Sequence, residues 1–584
     1  MMRRDGKSVF VGFPGRLMST ARSAVSMGPE YAREIVNMYA AADGAGTKRN
    51  GVAKVGGALP GGAGALGVFS YLKAGVGLQL LAVADDGCVY LQDGAGWQQV
   101  WSGLNPLGVP RGAVFAGRLV LVNGFDPMLA WDGDAWQVVE EKITDLADGL
   151  TYVGATQFRI DSLAELYPVG SEVRATVGGV NVVANVSAVS VAGMTVTVTL
   201  DAAVLGANLS AVAFTRRPPV MAYVYAAHDR LWGFGKGPLR GSVVDSDVDR
   251  ARVFYTDGVN DVTRWHDSEG VVGSINLADK SQGGDSLMAM AVKDGVTVFL
   301  LRNSVQLWSG STPGAEGDFG WQKTIPAGTV HGGLVVELPN DVAFLSRNGV
   351  RTLSRALQTE QLDVSDVGGE IDPTLAEQLK LLLADDEAYR KAGSVVCEAQ
   401  NWFGVKLFDK LLVFQVGGAN RGWVVFDGVM AAAQAFHAAP DGRVYLAVGG
   451  QLYVYDEARW DDDGTPLMTR WWTPWLRLAG NGKRWANRYM EVVTAHGVPM
   501  ALTLRRYRNL DDGDGWVMAL EGGASADYWD DAVWDVGLFD NANPPPAVVR
   551  DHFVCDEMAL ALESHTTEGP LTVLGVKVHG VPEK

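Results

Sequence analysis

The stretch from Gly112 to Val139 reads GAVFAGRLVLVNGFDPMLAWDGDAWQVV and indicates the fold class. Its apolar runs break at Asn123-Gly124 and again at Asp132-Gly133. Asn-Gly and Asp-Gly supply the positive φ angles that tight hairpin turns need. The stretch therefore predicts three antiparallel strands joined by two turns.

The same pattern of strand, turn and strand recurs along the chain, often closed by Trp or Tyr. Such recurrence is typical of β-propeller blades, and the chain length devoted to it predicts about six to eight blades. The 72 glycines and 18 tryptophans also favour an all-β chain with many turns. The clearest copies lie at Leu80 to Val100, Ala289 to Leu307, Asp341 to Leu353 and Gly442 to Tyr455.

Composition limits the classes of function. The formal net charge of −18 opposes non-specific adhesion to DNA, although an acidic channel wall would let duplex DNA pass without sticking. Three widely spaced cysteines predict buried thiols and neither a disulfide framework nor a structural zinc site. The N-terminus lacks the apolar run of a signal peptide, and no segment has the length of a membrane span. We expect synthesis in a cytoplasm.

Changes in residue composition and strand pattern divide the chain into regions. Trp is absent from the stretch after Thr156, where MTVTVTL (Met194 to Leu200) alternates strictly, so a small β-barrel is predicted as an insertion between blades. A C-terminal β-sandwich is predicted after the last blade. The predicted regions are an N-terminal arm (1–65), a first propeller segment (66–145), the inserted β-barrel (146–218), a second propeller segment (219–469) and the C-terminal β domain (470–584).

One helix is predicted in the second propeller segment, from Asp372 to Arg390. Asp372 would cap its N-terminus and Pro373 would occupy its first turn. Leu375, Leu379 and Leu382 would share one face, as in an amphipathic helix.

A basic run begins the C-terminal domain. Between Arg470 and Leu510 there are eight Lys or Arg residues and one acid, Glu491. This run fits a solvated strand face, a docking patch for an acidic neighbour, or a DNA contact; as a docking patch it would fix orientation and partner. We expect that changing Arg505, Arg506 and Arg508 to Glu leaves the fold intact and impairs assembly with that neighbour. The candidate docking residues are Arg484, Arg488, Arg505, Arg506 and Arg508.

No catalytic, cofactor or metal residue is predicted. Four Trp-Asp pairs lack the Gly-His partner of a WD repeat and fit turn residues better. The acidic runs Asp245 to Asp249 and Asp511 to Gly515 lack the Gly and Glu of a calcium loop. The histidines, among them His228, His266, His331, His437 and His496, lie singly. No GxSxG elbow or phosphate-binding loop occurs, so the chain is not predicted to be an enzyme.

The order of these regions resembles the tail-nozzle proteins of short-tailed bacteriophages, also called tail tubular protein B or packaged-DNA stabilisation proteins. MGPEYAREIVNMY, followed by KRNGVAKVGG, is similar to their N-x-Y … R-x-G opening. Three further stretches carry the resemblance, which covers most of 1–460. These are the inserted segment with MTVTVTL, the run from Val298 to Gly333 followed by DVAFLSRNGVRTLSRAL, and GRVYLAVGGQLYVYDE.

The resemblance implies a structural virion protein of the phage tail, for which the cytoplasm of synthesis would be that of its host. It implies a ring, usually of six copies, below the portal and its adaptor, forming the channel that retains and conducts double-stranded DNA without reading its sequence. Tail fibre or tip proteins would be further partners. The alternative is a carbohydrate-binding or carbohydrate-cleaving propeller, which would need an aromatic platform with convergent polar groups.

Overall fold

The computed structural model describes residues 6–143, 150–161, 169–170, 172–193, 195–235, 250–257, 260–265, 273–281, 285–314, 317–358, 367–417, 421–480, 482–495, 501–521, 546–567 and 569–583. They form two compact units. The first comprises residues 1–68, 94–96 and 333–584, and the second comprises 69–93 and 97–332. No helix in the described ranges is both long enough and apolar enough to cross a bilayer.

The N-terminal segment consists of short strands. Asn37 separates two of them and adopts a left-handed backbone conformation (φ 52°), which asparagine tolerates better than most residues. Because each strand has at most six residues, the segment depends on partners from later in the chain. The strands are β1 (Lys7–Gly12), β2 (Glu34–Val36), β3 (Met38–Ala40), β4 (Gly46–Lys48) and β5 (Gly51–Val55).

Two four-stranded antiparallel sheets follow in sequence order. In the second sheet, the predicted turns are present, with positive φ at Gly124 (86°) and Gly133 (102°). Trp131 and Trp136 form a cross-strand pair with ring centroids 5.5 Å apart. The strands are β6 (Ala65–Lys73), β7 (Gly77–Ala84), β8 (Val89–Asp93), β9 (Gly96–Trp101), β10 (Arg111–Phe115), β11 (Arg118–Val122), β12 (Leu129–Trp131) and β13 (Trp136–Val138).

A seven-stranded antiparallel sheet comes next. Its long strand β18 pairs with β17 through Asn185 and with β19 from Val186 onward. This arrangement encloses a core of its own that includes Phe158, Ile160 and Val198. The strands are β14 (Glu141–Ile143), β15 (Thr151–Gly154), β16 (Gln157–Asp161), β17 (Glu172–Val177), β18 (Val180–Ala192), β19 (Thr195–Leu200) and β20 (Leu209–Arg216), in the spatial order β14-β20-β17-β18-β19-β16-β15.

Two further four-stranded sheets complete the second unit. An aromatic cluster around Trp232, Phe299 and Trp308 fills the space between them. The strands are β21 (Tyr223–Ala227), β22 (Arg230–Phe234), β23 (Arg252–Tyr255), β24 (Gly273–Asn276), β25 (Leu287–Lys293), β26 (Val296–Leu301), β27 (Val305–Ser309) and β28 (Gly320–Ile325).

The first unit resumes with one three-stranded sheet and two runs of a longer sheet. Strand β5 of the N-terminal segment pairs antiparallel with β38, so the start of the chain completes the last of these runs. The elements are β29 (Val335–Leu338), β30 (Asp341–Ser346), β31 (Gly349–Thr352), α1 (Leu353–Gln358), α2 (Asp372–Ala384), α3 (Asp386–Lys391), β32 (Gly393–Cys397), β33 (Trp402–Lys406), β34 (Leu411–Gln415), β35 (Gly422–Phe426), α4 (Val429–Ala432), β36 (Ala435–Ala438), β37 (Val444–Val448) and β38 (Gln451–Asp456).

The chain is thus an all-β propeller protein, as predicted. Within the described residues, seven sheets or sheet runs of three or four strands have the up-and-down order of propeller blades, which lies inside the predicted range. The predicted helix is interrupted, because Asp385 is extended between α2 and α3 (φ −121°, ψ 113°). Its carboxylate accepts hydrogen bonds from the backbone N–H groups of Glu387 and Ala388, which caps α3. Asp372 lies inside α2, and Ile371 takes the cap position without a side-chain hydrogen bond.

The C-terminal strands form two layers around a shared core. One layer contains β1, β4, β47, β41, β44 and β45, and the other contains β2, β40, β46, β42 and β43. The strands are β39 (Asp461–Asp462), β40 (Thr465–Trp472), β41 (Arg484–Ala495), β42 (Ala501–Arg508), β43 (Asp511–Glu521), β44 (Ala547–Val549), β45 (Phe553–Cys555), β46 (Met558–Thr566) and β47 (Thr572–Glu583).

The structure divides the ends of the chain differently from the sequence-based boundaries. Residues 1–65 were predicted as an arm, but β1 pairs with β47 along its whole length and β2 pairs with β40. One core cluster joins Ile35 of the N-terminal segment, Val413 of a propeller sheet and Leu504 of the C-terminal strands. The predicted boundary at 470 falls inside β40. The first unit is therefore continuous from the N-terminal segment to the C-terminal strands.

We predict that Gly51→Ala destabilises the first unit. A Cβ at Gly51 would lie 1.8 Å from the carbonyl oxygen of Asp461, so β5 and β39 would have to separate. We expect the free energy of unfolding to fall by about 1–3 kcal/mol in urea titrations. Gly393→Ala is the matched control, because a Cβ there meets open space. Equal stability of the two variants would contradict the close approach.

Candidate functional site

A buried arginine joins the N-terminal segment to the end of the last propeller sheet. Arg49 has a fully buried side chain and forms a bidentate ion pair with Asp462, with N–O distances of 3.0 and 2.8 Å. Its Nε donates to the Asn37 side-chain oxygen, and its remaining N–H groups donate to the carbonyl oxygens of Asn50 and Asp427, each at 2.8 Å. All five guanidinium N–H groups therefore have acceptors, as a buried charge requires.

Asn37 is the second member of this network. Its side-chain oxygen also accepts the backbone N–H of Asp427 at 2.8 Å, and its Nδ2 donates to the carbonyl of Met468 at 2.8 Å. Asn37 and Arg49 are the polar residues of the N-x-Y … R-x-G pattern, and Gly51 is its last residue. The pattern thus specifies a buried structural network that includes the backbone approach at Gly51.

Lys48 lies beside this network and is buried as well. Its Nζ donates to the carbonyl oxygen of Thr566 at 2.7 Å. Burial lowers the pKa of Lys48 to about 8, and the neighbouring Arg49 charge acts in the same direction. Asp461 and Asp462 oppose this change but do not cancel it.

The predicted docking residues lie on two different sheets. Arg484 and Arg488 belong to β41 and are exposed. Arg505, Arg506 and Arg508 belong to β42, in the other layer, and are half-buried or buried. The residues do not form one strand face, although the charges of Arg484, Arg506 and Arg508 all act on Cys555, whose pKa burial raises to about 11.

Arg506 is unsuited to docking because its side chain is only 5% exposed. Its Nε donates to Asp551 at 3.0 Å, and its Cζ lies 4.4 Å from the ring centroid of Phe553. Reversing its charge would leave Asp551 beside a second buried carboxylate, so the expectation that the fold tolerates Arg506→Glu does not hold. Only Arg484 and Arg488 keep the exposure that a docking residue needs.

The basic run is balanced by acids from distant regions of the chain. Glu563 of β46 accepts from Arg470 at 2.9 Å and from Arg505 at 2.8 Å, and Glu34 of β2 pairs with Arg470 at 2.9 Å. Arg477 pairs with Glu557. These contacts make the run a largely internal charge network, and they leave the predicted docking role to Arg484 and Arg488.

The remaining candidates form no metal-binding cluster in the described ranges of the chain. No group of three or more His, Cys, Asp or Glu there could hold a metal ion. His228 Nε2 lies 2.9 Å from Thr297 Oγ1, while burial lowers the pKa of His331 to about 3 and that of His437 to about 4. Outside the described residues lie His266, His496, Asp245 to Asp249, Trp529-Asp530 and Trp534-Asp535.

Among the described residues, acids of the acidic and Trp-Asp motifs form hydrogen bonds and ion pairs within the protein. Asp512 forms a bidentate pair with Arg33, at 2.8 and 2.7 Å, and so is engaged within the protein. Asp132 accepts the N–H groups of Asp134 and Ala135 at 2.9 Å, as a turn residue does. The turn interpretation of this Trp-Asp pair is confirmed.

Comparisons with known proteins do not identify a family. No family model matches the chain, and no curated protein matches it. The WD40 β-propeller domain of Doa1 is similar at 8% identity and a TM-score of 0.33, over 70% of this chain and 97% of that domain. BamB from Moraxella catarrhalis is similar at 9% identity and a TM-score of 0.31, over 70% of this chain and 97% of BamB. Such values give no basis for transferring a function.

We predict that Asp462→Asn strongly destabilises the protein, because it leaves the Arg49 charge buried without a counter-charge. The expected loss of unfolding free energy is about 3–5 kcal/mol, measured by urea denaturation. Glu387→Gln is the control, since it removes an exposed ion pair to Lys391 and should leave the denaturation midpoint unchanged. Similar midpoints for both variants would refute the central role of the buried pair.

The low pKa of buried Lys48 leads us to predict that the folded state becomes more stable between about pH 8 and pH 10.5. The folded chain releases the Lys48 proton near pH 8, whereas the unfolded chain holds it to about pH 10.5. Between these values the unfolded state binds more protons, so the free energy of unfolding should increase with pH. Lys48→Met should remove this contribution, seen as a smaller slope than the wild type in urea titrations at several pH values. Lys380→Met, at an exposed lysine of α2, is the control. An unchanged slope in Lys48→Met would rule out the buried lysine as the cause.

Proposed function

We propose that this chain is a structural virion protein, the nozzle of a short bacteriophage tail. In this role a ring of about six copies attaches below the portal and its adaptor and surrounds the channel for double-stranded DNA. Tail fibre or tip proteins bind the same ring, and the protein resides in the virion. No catalytic role, metal or cofactor belongs to this proposal.

The proposal is supported by one observation above the others. Asn37 and Arg49, the polar residues of the N-x-Y … R-x-G pattern on which the resemblance begins, meet in a single buried network with Asp462. In this chain the pattern lies where the N-terminal segment completes both a propeller sheet and the C-terminal layers. The seven-stranded sheet between β13 and β21 further supports the order of regions that the resemblance implies.

The test is negative-stain imaging of the purified protein, alone and mixed with portal–adaptor complex. We expect rings or short tubes with a central hole about as wide as duplex DNA, in either sample. The double variant Arg484→Glu/Arg488→Glu should fold normally and assemble poorly, because these are the exposed charges among the candidate docking residues. Lys323→Glu, at an exposed position of β28, is the matched surface control.

The outcomes separate the nozzle function from the role of the two arginines. Persistent monomers that ignore the adaptor would contradict the nozzle function. Normal assembly of the double variant would remove Arg484 and Arg488 from the interface while leaving the nozzle function intact.

A further inference from the structure

A cationic cluster lies inside the second unit, where the first strands of two sheets meet. Arg111 begins β10 and Tyr223 begins β21. The guanidinium Cζ of Arg111 lies 5.5 Å from the centroid of the Tyr223 ring. His331 is fully buried nearby, and the Arg111 charge helps to keep it neutral by lowering its pKa. Arg111 therefore supplies the positive charge of this cluster.

Two polar atoms of the cluster are buried without a hydrogen-bond partner. These are Nε of Arg111 and the hydroxyl oxygen of Tyr223. Within the described ranges, Arg111 also has no carboxylate that would balance its charge. Nε can only donate, so it calls for an acceptor. The Tyr223 oxygen can accept from Arg111, which opposes the rise in the pKa of Tyr223 that burial causes, and the phenolic hydrogen is left to donate to a further acceptor. A buried donor without an acceptor is costly, and more so when it is charged.

The surrounding backbone fixes the position of Tyr223. A Cβ at Gly332 would lie 2.3 Å from the tyrosine hydroxyl and 2.1 Å from the carbonyl oxygen of Met288, so only glycine fits there. The ring also stacks on Phe234, with centroids 5.1 Å apart and an interplanar angle of 10°. Arg111 as a whole is partly exposed, although its Nε and the Tyr223 hydroxyl are buried.

A second orphaned arginine atom gives a useful contrast. Nη1 of Arg506 is also buried without a hydrogen-bond partner. That guanidinium, however, already has Asp551 at 3.0 Å, so its charge is balanced within the chain. Arg111 has the unmet donor and the unbalanced charge together. The combination distinguishes a binding position from an imperfectly satisfied structural arginine.

We propose that Arg111 and Tyr223 bind a small oxyanion, a phosphate or a carboxylate, whose oxygens accept hydrogen bonds from Nε–H and the phenolic hydroxyl. Guanidinium and phenol donors suit such oxygens, and a charge-assisted bond is stronger than a neutral one. This site is independent of the proposed nozzle function and does not require ring assembly.

The test is titration of the full-length protein with inorganic phosphate, and separately with acetate, at constant ionic strength against chloride. Thermal unfolding and calorimetry should show saturable binding of at least one anion, and the two arms identify which. Arg111→Met should abolish the response, and Tyr223→Phe should weaken the affinity about tenfold because it removes one donor to a charged ligand. Arg118→Met on the adjacent strand β11 should bind as the wild type does.

Three results would overturn the proposal. The first is no response of the wild type to either anion. The second is an equal response in the wild type and both site variants, which would indicate general surface binding. The third concerns Tyr223→Phe, which keeps the ring and its stacking: should Arg111→Met fail to fold, an unchanged affinity in Tyr223→Phe decides against the site.

Discussion

The ion pair between Arg49 and Asp462 is the constraint on which the first unit depends. It joins residues more than four hundred positions apart, and its guanidinium is fully satisfied by a carboxylate, one side-chain oxygen and two backbone carbonyls. A buried ion pair adds little net stability compared with apolar packing, but it tolerates very little misplacement. Its contribution is therefore to specify one arrangement of β5, β39 and the loop at Asp427.

This constraint explains why the N-terminal segment consists of short strands. None of β1 to β5 has a partner close in sequence except the small hairpin of β3 and β4, so each is ordered by elements made much later. Closing such long loops carries an entropic cost that grows slowly with length, and the cost is met once because the strands share one core. The first unit therefore gains its final order only when both chain ends are in place.

Local chemistry predicted the hairpins well and the long-range pairing poorly. Asn123-Gly124 and Asp132-Gly133 specify their turns through backbone angles that neighbouring residues alone determine. The helix from Asp372 was predicted from its apolar spacing, but its break at Asp385 depends on a capping carboxylate that competes with helix continuation. No local pattern indicates that β1 pairs with β47, because the two strands are separated by almost the whole chain.

The charges of the candidate site were also poorly predicted from the sequence, because their partners are distant in the chain. The run from Arg470 to Arg508 is basic in sequence, yet in three dimensions its arginines face Glu34, Asp551 and Glu563, which come from both chain ends. A surplus of one sign along the chain therefore does not identify a binding surface. The reverse holds for Arg111, which stands alone in sequence but has no counter-charge among the described residues. An arginine is a candidate ligand-binding residue when folding leaves its charge and its donors unmatched, and only the folded arrangement reveals that.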